Sequence, residues 1–261
     1  MAIVPFKISI PESILIDMKR RLSETRWPDE IENSGWQYGT NLSYIKTLVR
    51  HWESEFDWRK QEDYINSFAN FRTDSQNVNI HFIHERGKGP DPIPLIITHG
   101  WPSTFVEFLK IIPMLVDPAS NGGDPKDSFD VVVPSLPGYG FSDKPLIAGM
   151  TNREISSIWS NLMTDHLGYK KYGAHGDDWG ASISAHLGFS YPEELFGIHI
   201  TSVGTVTPYL GPQSKRLSPN ERYLLKATEE WMKSEGGYTH IQGTKPQSLS
   251  YGLNDSPAAL A

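Results

Sequence analysis

The stretch His175-Gly176-Asp177-Asp178-Trp179-Gly180 decides how this chain is read. It sets Asp178 at the centre of a Gly-x-Asp-x-Gly pattern, directly after a strand-like run at 171–177. In a G-x-S-x-G nucleophile elbow the central residue stands on a sharp strand-to-helix turn, and the flanking glycines are needed because a Cβ would clash there. An aspartate in that slot keeps the geometry and changes the chemistry. A carboxylate, ionised at neutral pH, attacks carbon without a base to deprotonate it and leaves an ester that must be hydrolysed in a second step. Alone, the pattern also fits a polar turn. The strand before it and the small-residue helix after it (Ala181-Ser-Ile-Ser-Ala185) favour the elbow. Asp177 lies outside the central slot and ranks below Asp178 as nucleophile.

Outward from the elbow, the pattern alternates between strand and helix. Residues 78–84 alternate in polarity, and 94–98 and 129–134 are short apolar runs of the kind that form buried parallel strands. Helices are expected over 105–115, 152–166 and 181–189, and another strand over 195–202. Such alternation predicts right-handed βαβ units and a mostly parallel sheet. Before it, residues 8–67 read as helical, with Ile14, Met18 and Leu22 at helical spacing, a second helix at 43–53 and a third starting near Trp58. After Ser202 the sequence turns polar and helical, punctuated by Pro208, Gly211, Pro212 and Pro219. This divides the chain into a helical N-terminal extension (1–75), an α/β core (76–205) and a cap segment (206–261) over the sheet edge where such folds place their sites.

Composition narrows the classes. The 261 residues are 38% hydrophobic and 21% charged, which suits a packed core. A net charge of −7 argues against nucleic acid or an anionic membrane as partner. There are no cysteines, which excludes disulfides and thiolate metal sites. No apolar run approaches the roughly 20 residues of a membrane span, and residues 1–7 lack a signal pattern. The expectation is a cytoplasmic protein with no membrane anchor.

A second motif, His99-Gly100-Trp101-Pro102, follows the strand at 94–98. An oxyanion hole in this architecture takes one backbone N–H from the residue after the nucleophile and one from the loop after an early strand. Trp179 and Trp101 hold those positions, and packing of their rings is compatible with main-chain donation. Pro102 cannot donate and stiffens the loop. His99 reads as a structural loop residue rather than a base. Residues 134–145 form a turn-rich loop in which Tyr139 lines the rim of the site or packs.

Taken together, the chain resembles the microsomal-type epoxide hydrolases, α/β hydrolases with a helical N-terminal extension. The matching pieces include Arg26-Trp27-Pro28, Trp58-Arg59-Lys60-Gln61, His99-Gly-Trp-Pro-Ser103, Pro134-Ser-Leu-Pro-Gly-Tyr-Gly-Phe-Ser142, Gly176-Asp-Asp-Trp-Gly180, Gly237-Tyr-Thr-His-Ile-Gln242 and Asn254-Asp-Ser-Pro257. They run in order over nearly the whole chain. The resemblance implies an α/β-hydrolase fold and a small-molecule epoxide as substrate, with no cofactor and no metal. Asp178 would attack an epoxide carbon, and Tyr238 would supply the proton that the opening ring oxygen needs. A phenol is still protonated at neutral pH and suits that task. Tyr251 is a weaker second candidate, and cap packing is its alternative. Trp101, Pro102, Tyr139 and Tyr251 are the expected substrate contacts.

The resemblance also implies an acid and a catalytic histidine after the cap, and these are not found. Of the later histidines, His186 falls on the elbow helix, His199 in a strand, and nothing in the spacing of His240 makes it a base. The ending Ser256-Pro-Ala-Ala-Leu-Ala261 looks like the first turn of a helix. The expectation is a truncated chain, with late strands missing, that is completed by a C-terminal segment or works within a homo-oligomer. Two alternatives stand beside it: a haloalkane dehalogenase-like hydrolase using the same aspartate, and an inactive hydrolase-fold binding protein.

Overall fold

Three helices precede the main sheet: α1 (Glu12–Ser23), α2 (Leu42–Ser54) and α3 (Trp58–Asn66). Pro11 stands immediately before α1, and the Asn41 side chain caps α2 by accepting from the Tyr44 N–H. In this computed structural model, residues 2–202, 211, 212 and 214–261 are described. The expected boundary at 205/206 and Pro208 lie outside them. The chain divides into two compact units, Met1–Ile8 with Gln61–Val206 and Ser9–Lys60 with Thr207–Ala261.

The first unit is built on a seven-stranded sheet of order β1-β2-β3-β5-β4-β6-β7. The strands are β1 (Val4–Pro5), β2 (Asn70–Ser75), β3 (Val78–Glu85), β4 (Ile93–Thr98), β5 (Phe129–Pro134), β6 (Tyr172–Gly176) and β7 (Leu195–Ile200). The apolar runs at β5, β4, β6 and β7 pair in parallel, as their sequence led one to expect. The other side is antiparallel: β3 pairs with β5, and β2 and β1 follow. A two-residue hairpin joins β2 to β3, with Gln76 at φ +54° and Asn77 at φ +66°, the doubly left-handed geometry that matches strand twist.

Helix α4 (Ile112–Val116) follows a separate 3-10 turn at Phe105–Phe108. The single helix expected over 105–115 is thus divided. Pro113 opens α4, where its missing N–H does no harm, whereas in a continuous helix it would remove a hydrogen bond and clash with the preceding turn. Helix α5 (Asn152–Asn161) starts with a reciprocal capping box between Thr151 and Glu154 and runs into a π-helical turn at Leu162–His166. Helix α6 (Asp178–Ser190) leaves the end of β6. The core joins α5 and α6 to the sheet through Ile80, Phe82, Ile96, Val132, Trp159 and Ile183, all fully buried. The Trp159 indole N–H donates to Thr98 Oγ1 at 3.1 Å, so the largest buried ring also satisfies its polar atom. β7 is an edge strand among the described residues, and its Phe196 is 64% exposed.

The second unit adds α7 (Pro219–Ser234), α8 (Gly237–Thr244), α9 (Pro246–Asp255) and α10 (Pro257–Leu260). Ser218 and Glu221 form a capping box at the start of α7. Within this unit, Arg21 on α1 donates to the Asp255 carbonyl at 2.8 Å. No residue of α7 to α10 is buried. Among the described residues no helix is long and apolar enough to cross a membrane.

Candidate active site

The site candidate begins where β6 ends. Asp177 is still extended (φ −121°, ψ 164°), while Asp178 takes φ +45° as the first residue of α6. A non-glycine residue in the left-handed region is strained, and such strain collects at functional turns. The turn is possible because its neighbours lack side chains. A Cβ on Gly176 would stand 2.1 Å from the Gly180 carbonyl carbon, and a Cβ on Gly180 would stand 1.9 Å from Thr98 O. The two pattern glycines therefore let the helix close onto β6 and β4.

The loop after β4 meets the same turn. The Trp101 N–H donates to Asp178 Oδ1 at 2.9 Å. A Cβ on Gly100 would lie 2.4 Å from Asp178 Cβ, so this glycine is as necessary as those of the elbow. Its only trace in the sequence is its place beside Trp101. The first intrahelical bond of α6 runs from the Ala181 N–H to Asp177 O at 3.0 Å. The Trp179 N–H thus falls among the helix-start donors that have no partner within the helix. The Trp179 ring is 46% exposed, and Pro102 next to Trp101 is exposed as well.

His99 is buried. Its Nδ1 lies 3.1 Å from Gly100 O, and its Nε2 accepts from the Leu136 N–H at 3.1 Å. Burial holds its pKa below the usual value, against the pull of the Gly100 carbonyl and the Asp177 charge. A neutral ring with both nitrogens committed ties the two loops together. Half-buried Tyr139 packs against it, with ring centroids 5.4 Å apart. Burial first, and then the negative charge of Asp178, push the Tyr139 hydroxyl above its ordinary value. This phenol keeps its proton in the field of the elbow carboxylate.

Glu107, in the 3-10 turn after the Trp101 loop, is a site residue that sequence reasoning missed. Its carboxyl is held above the usual range by burial and by the nearby Asp177 and Asp178, against a hydrogen bond with Ser103. Nothing in its spacing marks it. His175 and His199, on β6 and β7, place their Nδ1 atoms 2.8 Å apart and engage one another. His186 lies on α6. Tyr238 on α8 and Tyr251 on α9 belong to the second unit and are 45% and 71% exposed. A hollow of about 670 Å³, lined by Trp27, Pro28, Ile31, Tyr38 and Leu42 among others, contains none of the expected site residues.

Comparison with known proteins bears on both parts of the chain. Residues 93–226, about half of it, match the family described as alpha/beta hydrolase fold. The chain belongs to the alpha/beta hydrolase family. Residues 3–108 match the family described as Epoxide hydrolase N terminus. This alpha/beta hydrolase is 36% identical over 276 residues to Epoxide hydrolase 1 of Sus scrofa, covering 100% of the chain and 61% of that protein. It is also 36% identical to Juvenile hormone epoxide hydrolase 2 of Ctenocephalides felis, covering 98% and 57%. Its fold superposes on the juvenile hormone epoxide hydrolase of Bombyx mori with a TM-score of 0.82 at 32% identity, over 99% of the chain and 61% of that structure. The Aspergillus niger epoxide hydrolase gives 0.84 at 28% identity, over 99% and 67%. The chain therefore spans about three fifths of the length of the curated relatives it matches.

Proposed function

We propose that this chain carries the nucleophile half of an epoxide hydrolase site. Asp178 attacks an epoxide carbon, the C–O bond opens, and the aspartate becomes an ester. Tyr238 supplies the proton to the ring oxygen. Water then cleaves the ester to a vicinal diol. Trp101 and Trp179 N–H groups bind the ester oxygen derived from Asp178 Oδ1, and Pro102, Tyr139 and Tyr251 line the substrate. The observation that carries this reading is the 2.9 Å bond from the Trp101 N–H to Oδ1 of an aspartate held at φ +45° on a strand-to-helix turn. One carboxylate oxygen is anchored and the other is left for attack, and a donor already sits where negative charge develops during ester hydrolysis.

The hydrolysis step needs a base. Among the described residues of the first unit, His81, His84, His99 and His166 are engaged with neighbouring polar groups, and His175 with His199. The water-activating histidine and acid are accordingly proposed to lie outside the 261 residues, in a complementing C-terminal segment. The helices before the core form the extension and those after it form part of the cap. Substrates of the aryl-epoxide type, such as cis-stilbene oxide, and a role in detoxifying reactive epoxides in the cytoplasm complete the proposal.

The test is intact mass measurement after incubation with cis-stilbene oxide. A lasting one-to-one adduct is expected, because alkylation proceeds and hydrolysis stalls, and Asp178→Asn removes it. A folded chain that forms no adduct would sink the reading, and halide release from a haloalkane would replace the epoxide with a halide leaving group.

A further inference from the structure

His81 lies on β3, far from the elbow in sequence, and is fully buried. Phe6, Phe105 and Phe141 meet its ring edge-on, with centroids 4.8 to 5.5 Å away. Its polar contacts fix which nitrogen carries the proton. Asn70 Nδ2 donates to the carbonyls of Ile65 and Phe68, at 2.9 and 2.8 Å, so Asn70 Oδ1 is the atom that faces His81 Nε2 at 3.0 Å. An amide oxygen only accepts. His81 Nε2 therefore holds the ring proton, and Nδ1 accepts from the Ser135 hydroxyl at 2.9 Å. Burial, and after it the charge of Arg72, lower the pKa of the ring to about 3, which keeps it neutral.

The same residue grips both ends of one loop. The Ser135 N–H donates to His81 O at 2.8 Å. The His81 N–H donates to Ser142 Oγ at 3.0 Å, and the Ser142 hydroxyl donates to Ser135 O at 2.7 Å. The loop closes directly over this anchor: a Cβ on Gly140 would stand 2.6 Å from Ser135 Oγ. Tyr139 lies between the two serines and packs on His99. His99 holds the loop from the other side in the opposite tautomer, its Nε2 accepting from the Leu136 N–H and its Nδ1–H donating to Gly100 O. Gly100 is the residue pressed against Asp178, 2.4 Å from where its own Cβ would be. We propose that His81, locked in the Nε2–H form, is a positioning residue for the substrate: through Ser135 and Ser142 it fixes the loop that holds Tyr139 against the His99–Gly100 wall beside Asp178. The proposal rests on Asp178 as the nucleophile and Tyr139 as a substrate contact. Both His81 bonds to the serines end on that loop and not within the sheet, which is what separates this ring from one that only fills the core.

Two measurements on the 261-residue chain test this. The first needs no epoxide. Nitrogen–proton correlation spectra of the histidine rings separate the Nε2–H from the Nδ1–H form, with His81 assigned through its backbone. His81 is expected in the Nε2–H form at neutral pH. Its Nδ1 signal is expected to move in Ser135→Ala while the tautomer holds, because Asn70 sets it. An Nδ1–H or doubly protonated ring, or an Nδ1 signal that Ser135→Ala leaves in place, overturns the proposal. In the second, the rate of adduct formation is followed against the concentration of cis-stilbene oxide. Ser135→Ala is expected to raise the half-saturating concentration about fivefold, the worth of one ordinary hydrogen bond, with the loss falling there and not on the maximal rate. In Tyr139→Ala the loop has no ring left to place, and adding Ser135→Ala is expected to change nothing further. Additive losses, or a half-saturating concentration that Ser135→Ala does not raise, overturn the positioning role. A folded chain without adduct overturns the proposed activity and the positioning role with it, while the tautomer is judged by the spectra alone.

Discussion

The elbow and the helices at 237–255 use the same residue, glycine, for opposite reasons. At the elbow, Gly100, Gly176 and Gly180 sit where a methyl group would meet backbone or the Asp178 side chain at 2.4 Å or less. Along α8 and α9, Gly243 and Gly252 have nothing within 4 Å of where a Cβ would stand. The first region is packed to its limit around one strained aspartate, and the second has no buried residue of its own. The geometry of Asp178 is thus built by local packing within its own unit. Tyr238 and Tyr251 lie on those helices and are 45% and 71% exposed.

The sharpest way to break this contrast is Gly180→Ala. Overpacking against Thr98 O is expected to cost about 3 kcal/mol or more, measured by urea denaturation, and a cost under about 1 kcal/mol would show that the elbow yields.

Acid acts on the same unit. Burial lowers His84 to about 4 and His81 to about 3 from an ordinary 6.5. The unfolded chain takes up protons below pH 6.5 that these rings refuse until pH 4 and 3, so their contribution is complete above 6.5 and is lost as pH falls through that window. A loss of about 5 kcal/mol, roughly half from each ring, is expected in denaturation at pH 4.5 against pH 7.5, and His84→Gln should about halve it.

Asp178→Gly relieves the left-handed strain and is expected to stabilise the chain by about 1 kcal/mol while abolishing adduct formation. A destabilised variant would mean that the Trp101 bond outweighs the strain. The smallest effect belongs to the open helices: Gly252→Ala should raise stability by about 0.5 kcal/mol through helix propensity alone, again by denaturation. A loss there would reveal a neighbour that the glycine makes room for.

Strands β3 to β7 and the turn at Asp178 were legible because their signals are local: apolar runs, alternation, and glycines flanking one residue. β2 was not. Its buried residues Asn70, Thr73 and Ser75 are polar and fall on both faces of the strand, with Asn70 Nδ2 donating to Ile65 O and Ser75 Oγ to Asn161 Oδ1. No periodicity reports such a strand. The Trp101 loop could be placed after β4 by its spacing, but not the need for Gly100, which arises only when Asp178 arrives from a strand 77 residues later. Glu107 was invisible for a similar reason. Its significance lies in a neighbour that the fold brings to it.

The outer edge of β7 has a consequence for how the protein must be handled. Phe196 and Ile198 are 64% and 42% exposed on the strand, and Phe189 on α6 is 86% exposed. Among the described residues no strand pairs with that edge, and N–H and C=O groups there beside exposed aromatic rings form a template onto which other extended chains can add. Strands of this kind seed aggregates at high concentration, so association of this chain is expected to begin at β7.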